Sequence, residues 1–261
     1  MLVDMHLHEC TYSTDSFLHL EEIVSIARQK GLDAICITDH DSMGLRERAE
    51  AYSREIGYPI FVGVEFFSLW GDITAWGIDG IPDQRVSAQD FIDLVREKDG
   101  FCVSCHPFRS NNRGLREHLR DVHGLDGVEV LNGSTPLEEN RTALRFCREL
   151  GLKAIGASDA HVPGQVGKYV TWLPETVTTL PDFVTALHTL ETRPAIWTGS
   201  EYDVVTEFCD EFSAGWGIML RPLFYISLCH IRYSCRKAVV IFHKNPFFRV
   251  KRFSEFGEVE N

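Results

Sequence analysis

The feature that most constrains this chain is a regular alternation of short apolar, β-branched runs with segments of helical period across its first two hundred residues. The strand-like runs are Leu2 to Met5, Ala34 to Ile37, Ile60 to Val64, Ile73 to Gly77, Phe101 to Ser104, Gly127 to Leu131 and Lys153 to Gly156. Between them, Leu20, Ile23, Val24 and Ala27 share one helical face, and Leu45, Ala49, Tyr52 and Ile56 another. Glycines 31, 57, 100 and 151 fall where helices should stop in a left-handed cap. Ser87 with Asp90, and Thr135 with Pro136 and Glu138, look like helix starts. Repeated strand–helix units favour a parallel sheet, either closed into a barrel or open and doubly wound, and the barrel is preferred here.

Length permits a full barrel: 261 residues suffice for one large domain. With 44% hydrophobic and 25% charged residues, collagen-like, disordered and small disulfide-scaffold classes drop out. The formal charge of −12 is unevenly spread. No Asp or Glu lies between Glu211 and Glu255, a stretch holding Arg221, Arg232, Arg236, Lys237, Lys244, Arg249, Lys251 and Arg252. The remainder keeps 18 of the 26 Lys and Arg against all 38 acids, an acidity that suits cations better than a nucleic-acid coat. The expected organisation is therefore a barrel over residues 1–200 and an aromatic, basic extension over 201–261 that packs on the barrel or meets a partner. No apolar stretch there reaches the roughly 20 residues of a membrane span.

MLVDMHLHEC lacks a cationic segment followed by an apolar one, so a cytoplasmic location is expected. Eight cysteines then read as small buried hydrophobes. Cys102, Cys105 and His106 spell the haem-attachment string C-x-x-C-H, but His106 has a better use.

That use emerges from the strand ends. His6 and His8 follow the first strand as H-x-H, a spacing that points both imidazoles the same way. Asp15 comes next in YSTDS, Asp39 and His40 close the second strand in ITDHDS, and Glu65 closes the third in VGVE. His106 closes FCVSC, Asn132 closes GVEVL, and Asp159 and His161 close KAIGAS as D-x-H. All lie just past strand C-termini, which in a parallel barrel form one rim. His19, His118, His123, His188, His230 and His243 fall elsewhere and read as ordinary solvated or capped imidazoles. Mixed imidazoles and carboxylates suit zinc, manganese or iron, and Glu65 could bridge two ions.

In family order, the strings DMHLH, YSTDS, ITDHDS, GVE, CHPF and SDAH resemble the PHP domain of polymerases and histidinol phosphatases, especially its short stand-alone members. The resemblance spans roughly residues 1 to 200. It implies an α/β fold of the distorted (β/α)7, TIM-like barrel type, holding two or three divalent metal ions (Mn, Zn or Fe) for phosphoester hydrolysis. On that pattern His6, His8, Glu65 and Asp159 would hold one ion, Glu65 would bridge to a second bound by His106, and Asp15, His40 and His161 would hold the third. Where many relatives place another histidine, this chain offers Asp72, or Trp76, in WGDITAWG. Asp72 is either a ligand of the second ion or a turn residue beside Gly71.

Such ions acidify a water and neutralise phosphoryl oxygens, so the expected reaction is attack of hydroxide on a phosphomonoester. Nucleotides, small phosphometabolites or a 5′ oligonucleotide end are the candidate substrates. Arg109, in HPFR, is a candidate phosphate clamp, and Asp39 and Asp4 are candidates for fixing imidazole tautomers. The alternatives are an amidohydrolase-type metallohydrolase, which also opens with H-x-H, and a non-catalytic metal-stabilised binding module.

Overall fold

The computed structural model describes residues 1–208 and 248–252, in two compact units, Met1–Tyr202 and Asp203–Asn261. In the first unit the order is β1 (Leu2–Leu7), α1 (Leu20–Gln29), β2 (Ala34–Ile37), α2 (Arg46–Ile56), β3 (Ile60–Val62), β4 (Val64–Phe67), β5 (Asp72–Trp76), α3 (Ala88–Glu97) and β6 (Phe101–Ser104). It continues with β7 (Gly127–Asn132), α4 (Leu137–Leu150), β8 (Lys153–Ala157), β9 (Tyr169–Trp172), α5 (Leu180–Thr189) and β10 (Arg193–Trp197). β11 (Tyr202–Phe208) pairs antiparallel with β12 (Phe248–Arg252), and most of the expected basic extension lies outside the described residues.

The strands form two mixed sheets. One runs β10-β9-β1-β2-β3 and the other β4-β5-β6-β7-β8. This corrects the expectation of a purely parallel sheet: β5 is antiparallel to β4 and β6, and β9 is antiparallel to β1 and β10. The run Ile60 to Val64 is also two strands, broken at Gly63. A Cβ there would sit 2.4 Å from the Ala75 carbonyl and 2.6 Å from the Trp76 ring, so only glycine lets β5 pass so close. The sheets meet at their rims, where His40 bridges Glu65 and Leu7 bridges Ala160, both in parallel sense.

Apolar periodicity explains the elements. Leu20, Ile23, Val24 and Ala27 are the buried face of α1, and Ser87 with Asp90 forms a reciprocal cap at α3. Gly57 and Gly151 close α2 and α4 in left-handed caps, whereas Asp99, not Gly100, takes the positive φ after α3. Thr135 does not cap α4; its hydroxyl donates to Asn132 Oδ1 at 2.9 Å instead. The core gathers Met5, Cys36, Phe61, Trp76, Phe101, Val103 and Ile155 from six strands, and α5 adds Phe183 and Leu187. Phe61 stacks on Phe183 with centroids 4.4 Å apart. No helix among the described residues is long and apolar enough to cross a membrane.

Candidate metal centre

The structure gathers the strand-end residues at one rim. β1 extends to Leu7, so His6 stands inside the strand and His8 just beyond it. His6 Nε2 and His8 Nε2 lie 3.0 Å apart. Their other ring nitrogens settle what this contact is. His6 Nδ1 meets the buried Glu129 carboxylate at 2.8 Å and must donate to it. Ser13 Oγ donates to Asp39 Oδ1 at 2.8 Å, so toward His8 Nδ1, 3.1 Å away, it accepts. Both Nδ1 atoms therefore carry the proton, and two Nε2 lone pairs face each other.

Facing lone pairs repel unless a proton or a metal cation lies between them. Glu65 Oε2 stands 3.4 Å from His6 Nε2 and 3.3 Å from His8 Nε2. Asp159 Oδ1 stands 3.6 and 3.3 Å from the same two atoms. These five distances, 3.0 to 3.6 Å, match the edges of a tetrahedron whose corners lie about 2.1 Å from its centre, the usual reach of nitrogen and oxygen ligands to zinc. Glu65 Oε2 also lies 2.7 Å from His40 Nδ1, yet neither buried atom forms a hydrogen bond. These donors fit a cation better than they fit one another.

Glu65 faces two ways. Its Oε1 lies 2.8 Å from His106 Nε2 and accepts from the Cys105 thiol at 3.4 Å. On the other flank, Asp15 Oδ2 is 3.2 Å from His40 Nε2 and 3.5 Å from His161 Nε2, and the His8 and His161 rings stack at 4.2 Å. Asp15, His40, Glu65, His106, Asp159 and His161 thus line one pocket of about 340 Å³, and the buried His6 and His8 stand behind Glu65 and Asp159.

Asp72 reaches the same pocket, although it opens its strand where His8, His40, His106, Asp159 and His161 follow theirs; Glu65, too, lies near the start of its strand, β4. Because β5 runs antiparallel, its first residue meets the C-terminal end of β6, and Asp72 Oδ2 lies 3.9 Å from His106 Nε2. Arg113 Nε donates to that oxygen at 2.7 Å, while the buried Asp72 Oδ1 has no hydrogen-bond partner. Trp76, the other candidate, sits at the far end of β5 in the apolar core.

The remaining candidates hold the centre in shape. Arg109 grips Asp159 Oδ2, Asn132 Oδ1 at 2.7 Å and Thr135 Oγ1 at 3.1 Å, and it lines the pocket. Asp39 touches no ring; it reaches His8 through Ser13 and accepts the Glu9 amide at 2.6 Å. Asp4 is buried beneath, accepting the Ser158 and Gly167 amides at 3.0 and 2.8 Å, and so joins β1 to the segment after β8 without meeting an imidazole. Cys102 and Cys105 are buried, which leaves the haem string no exposed thiol pair.

Burial opposes every charge here, and the charges answer one another. Burial disfavours ionised Glu65 and Asp159, yet the facing imidazoles, His6 foremost, hold both well below the usual carboxylate range. Burial would also discharge His6, but Glu129, Asp159 and Glu65 raise it well above its ordinary value. His8 is pushed down to about 4 by burial. His40, though burial works against its charge, is raised to about 9, chiefly by Glu65. Burial and then Glu65 push Asp72 up to about 7. Without cations this cluster holds protons in their place, and metal binding would expel them.

Local backbone geometry aims two of these side chains. His106 and Asp159 follow β6 and β8 with φ of 32° and 52°, in the left-handed region that costs a non-glycine residue about 1–3 kcal/mol. His106 N donates to Glu129 Oε2 at 3.0 Å and Asp159 N to the His6 carbonyl at 2.9 Å, which hold the strained turns.

Known proteins share parts of this sequence and its fold. Residues 4–102 match the PHP domain family, and residues 138–192 match the PHP-associated family. These two stretches carry PHP-type sequence. A proposed metal-dependent phosphoesterase of Bifidobacterium adolescentis has a similar fold, with a TM-score of 0.54 at 20% identity over 71% of this chain and 94% of its own. An amidohydrolase of Chromobacterium violaceum, with bound sulfate and no metal, gives 0.56 at 20% identity over 71% and 96%. A lesion-specific endonuclease of Pyrococcus furiosus gives 0.58 at 14% identity over 100% of this chain and 72% of its own. These likenesses establish a mixed α/β fold.

Reading motifs at strand ends missed Glu129, Ser13 and Arg113. Glu129 did leave a signal, a lone charge inside the apolar run of β7. Arg113, in a loop of polar residues, left none.

Proposed function

We propose that this PHP domain is a metal-dependent phosphoesterase that hydrolyses a phosphomonoester, either a nucleotide or small phosphometabolite or the 5′ end of an oligonucleotide. The observation that carries the reading is the pairing of three donor clusters with two guanidinium groups on one pocket wall. His6, His8, Glu65 and Asp159 would hold one ion; Glu65, His106 and Asp72 a second; Asp15, His40 and His161 a third. When bound, two or three such ions (Mn, Zn or Fe) supply an acidified water and positive charge for the phosphoryl oxygens.

The chain's own residues do the rest. Glu129 and the Ser13–Asp39 pair keep His6 and His8 protonated on Nδ1, which leaves each Nε2 free to donate its lone pair. Glu65 spans the clusters and sets their separation. Arg109 and Arg113, partly exposed and each anchored on a carboxylate, present their remaining N–H groups toward an anionic substrate. A neutral amide would make less use of the remaining guanidinium N–H groups than a phosphate would, which favours a phosphate ester over the amidohydrolase reading. A purely binding module would not need so many donors open to a pocket.

Two finer readings accompany this proposal. The two sheets together would make one distorted barrel over residues 1–200, since their rims meet at Leu7–Ala160 and His40–Glu65, with 201–261 as a packing or contact extension. A cytosolic setting agrees with the free thiols of Cys10, Cys36, Cys102, Cys105 and Cys147.

The test is turnover by the metal-replete full chain of p-nitrophenyl phosphate, nucleotides and a 5′-phosphorylated oligonucleotide, beside amides and lactones. Release of phosphate that His8→Ala abolishes would support the proposal. Inertness toward every phosphoester would overturn it, and amide or lactone turnover would install the amidohydrolase reading.

A further inference from the structure

Apart from the centre, the described residues place one more set of metal-binding atoms together. Cys10 Sγ lies 3.2 Å from His19 Nδ1 and 3.8 Å from Glu9 Oε1, and the three donor atoms all fall within 4.8 Å of one another. The set occupies the neck of the loop from Cys10 to Leu18, where the Cys10 amide donates to the Leu18 carbonyl at 2.9 Å. That backbone bond brings Cys10 and His19 side by side without help from either side chain.

Two observations turn this proximity into a site. Glu9 is fully buried, an unusual place for a carboxylate, and its nearest cation is weakly placed: Arg48 Nη1 stands 3.7 Å from Oε1 while Nη2 binds Glu21 at 2.8 and 3.1 Å. Glu9 Oε2 is occupied by the Thr11 amide at 2.7 Å, which leaves Oε1 turned toward the thiol. The second observation is His19, which opens α1 at the N-cap position yet does not cap it; its ring turns to Cys10 instead.

We propose that Glu9, Cys10 and His19 bind a zinc ion, at a site separate from the proposed phosphoesterase centre. Zinc fits because it accepts thiolate, imidazole and carboxylate in tetrahedral array, whereas manganese and magnesium disfavour sulfur. Binding converts the thiol to thiolate and releases one proton to solvent. The thiolate and Glu9 then balance the ion's two charges, and water completes the fourth position. The ion clips the neck of the loop that carries Ser13 and Asp15, and Ser13 is the group that orients His8.

The test uses the full chain, stripped of metal and then given zinc alone. Cys10 is half-exposed while the other described cysteines are buried, so its alkylation can be followed by peptide mass spectrometry. Zinc should slow alkylation of Cys10 by about tenfold, because a coordinated thiolate is a hindered nucleophile, and His19→Ala should cancel the protection. Cys10→Ser should bind one zinc equivalent fewer than wild type. Alkylation indifferent to zinc, or slowed equally in His19→Ala, would overturn the proposal, as would equal zinc content in wild type and Cys10→Ser. His19 is exposed, so His19→Ala should stay folded and decide the matter even if the serine variant does not.

Discussion

Glu129→Gln isolates the contribution of a residue that no strand-end motif marks. Glu129 Oε1 receives the His6 Nδ1 proton at 2.8 Å, and Oε2 receives the His106 amide at 3.0 Å and the Asn132 side-chain amide at 2.8 Å. Glutamine has the same shape but only one acceptor oxygen. If that oxygen faces His6, the new NH2 points at two donors. If it faces His106 and Asn132, the NH2 points at His6 Nδ1 and drives its proton to Nε2, where the lone pair for a metal is lost. In the first orientation a buried donor is left unmet, at about 1–3 kcal/mol, which corresponds to roughly 2–12 °C in melting temperature for a unit of this size, whereas the second keeps the hydrogen bonds and loses only the ligand lone pair. Loss of a carboxylate behind a metal-binding imidazole adds about 10–100-fold in metal affinity, or about 1.4–2.7 kcal/mol. Manganese and zinc titrations against a competing chelator, together with thermal melts of metal-free protein, measure the two effects separately. Wild-type affinity and an unchanged melt in Glu129→Gln would refute the tautomer argument.

Four other outcomes follow from the same geometry. Asp72→Ala should weaken one ion and spare those near His8 and His161, whereas metal content and rates equal to wild type would reduce Asp72 to a partner of Arg113. Asp72→His should shift preference from manganese toward zinc, read by activity and affinity with each metal. Arg109→Lys should cost about 10–100-fold in kcat/KM, the worth of one or two charged hydrogen bonds, because an ammonium cannot span Asp159, Asn132 and Thr135 together; wild-type kinetics would dismiss the clamp. Gly63→Ala should lose about 1–3 kcal/mol in a denaturant melt, since its Cβ would fall 2.4 Å from the Ala75 carbonyl, and an unchanged midpoint would mean the strands can yield.

The strands up to β8 were legible in the sequence because short β-branched runs between helical segments admit few other folds, and the rim residues were legible because they follow those runs; β9 and β10 were not anticipated. Strand direction was not, since a period of two residues reads the same both ways. The clue lay in length: Ser68 to Gly71 is too short to carry a crossover, so β5 had to return antiparallel, and that reversal brings Asp72, a strand-opening residue, to a rim where most residues follow strand ends. Asp4, Glu65 and Glu129 point to a more general signal. Each is a carboxylate inside an apolar, buried strand, where an unpaired charge is too costly to persist. Each must therefore have donors waiting in the fold. Asp4 finds backbone amides and is structural, Glu129 finds an imidazole and two amides and is orienting, and Glu65 is surrounded by ring nitrogens while Oε2 forms no hydrogen bond. What separates a structural carboxylate from a metal-binding one is thus the count of donors left unmet after packing, a quantity that only the folded arrangement supplies.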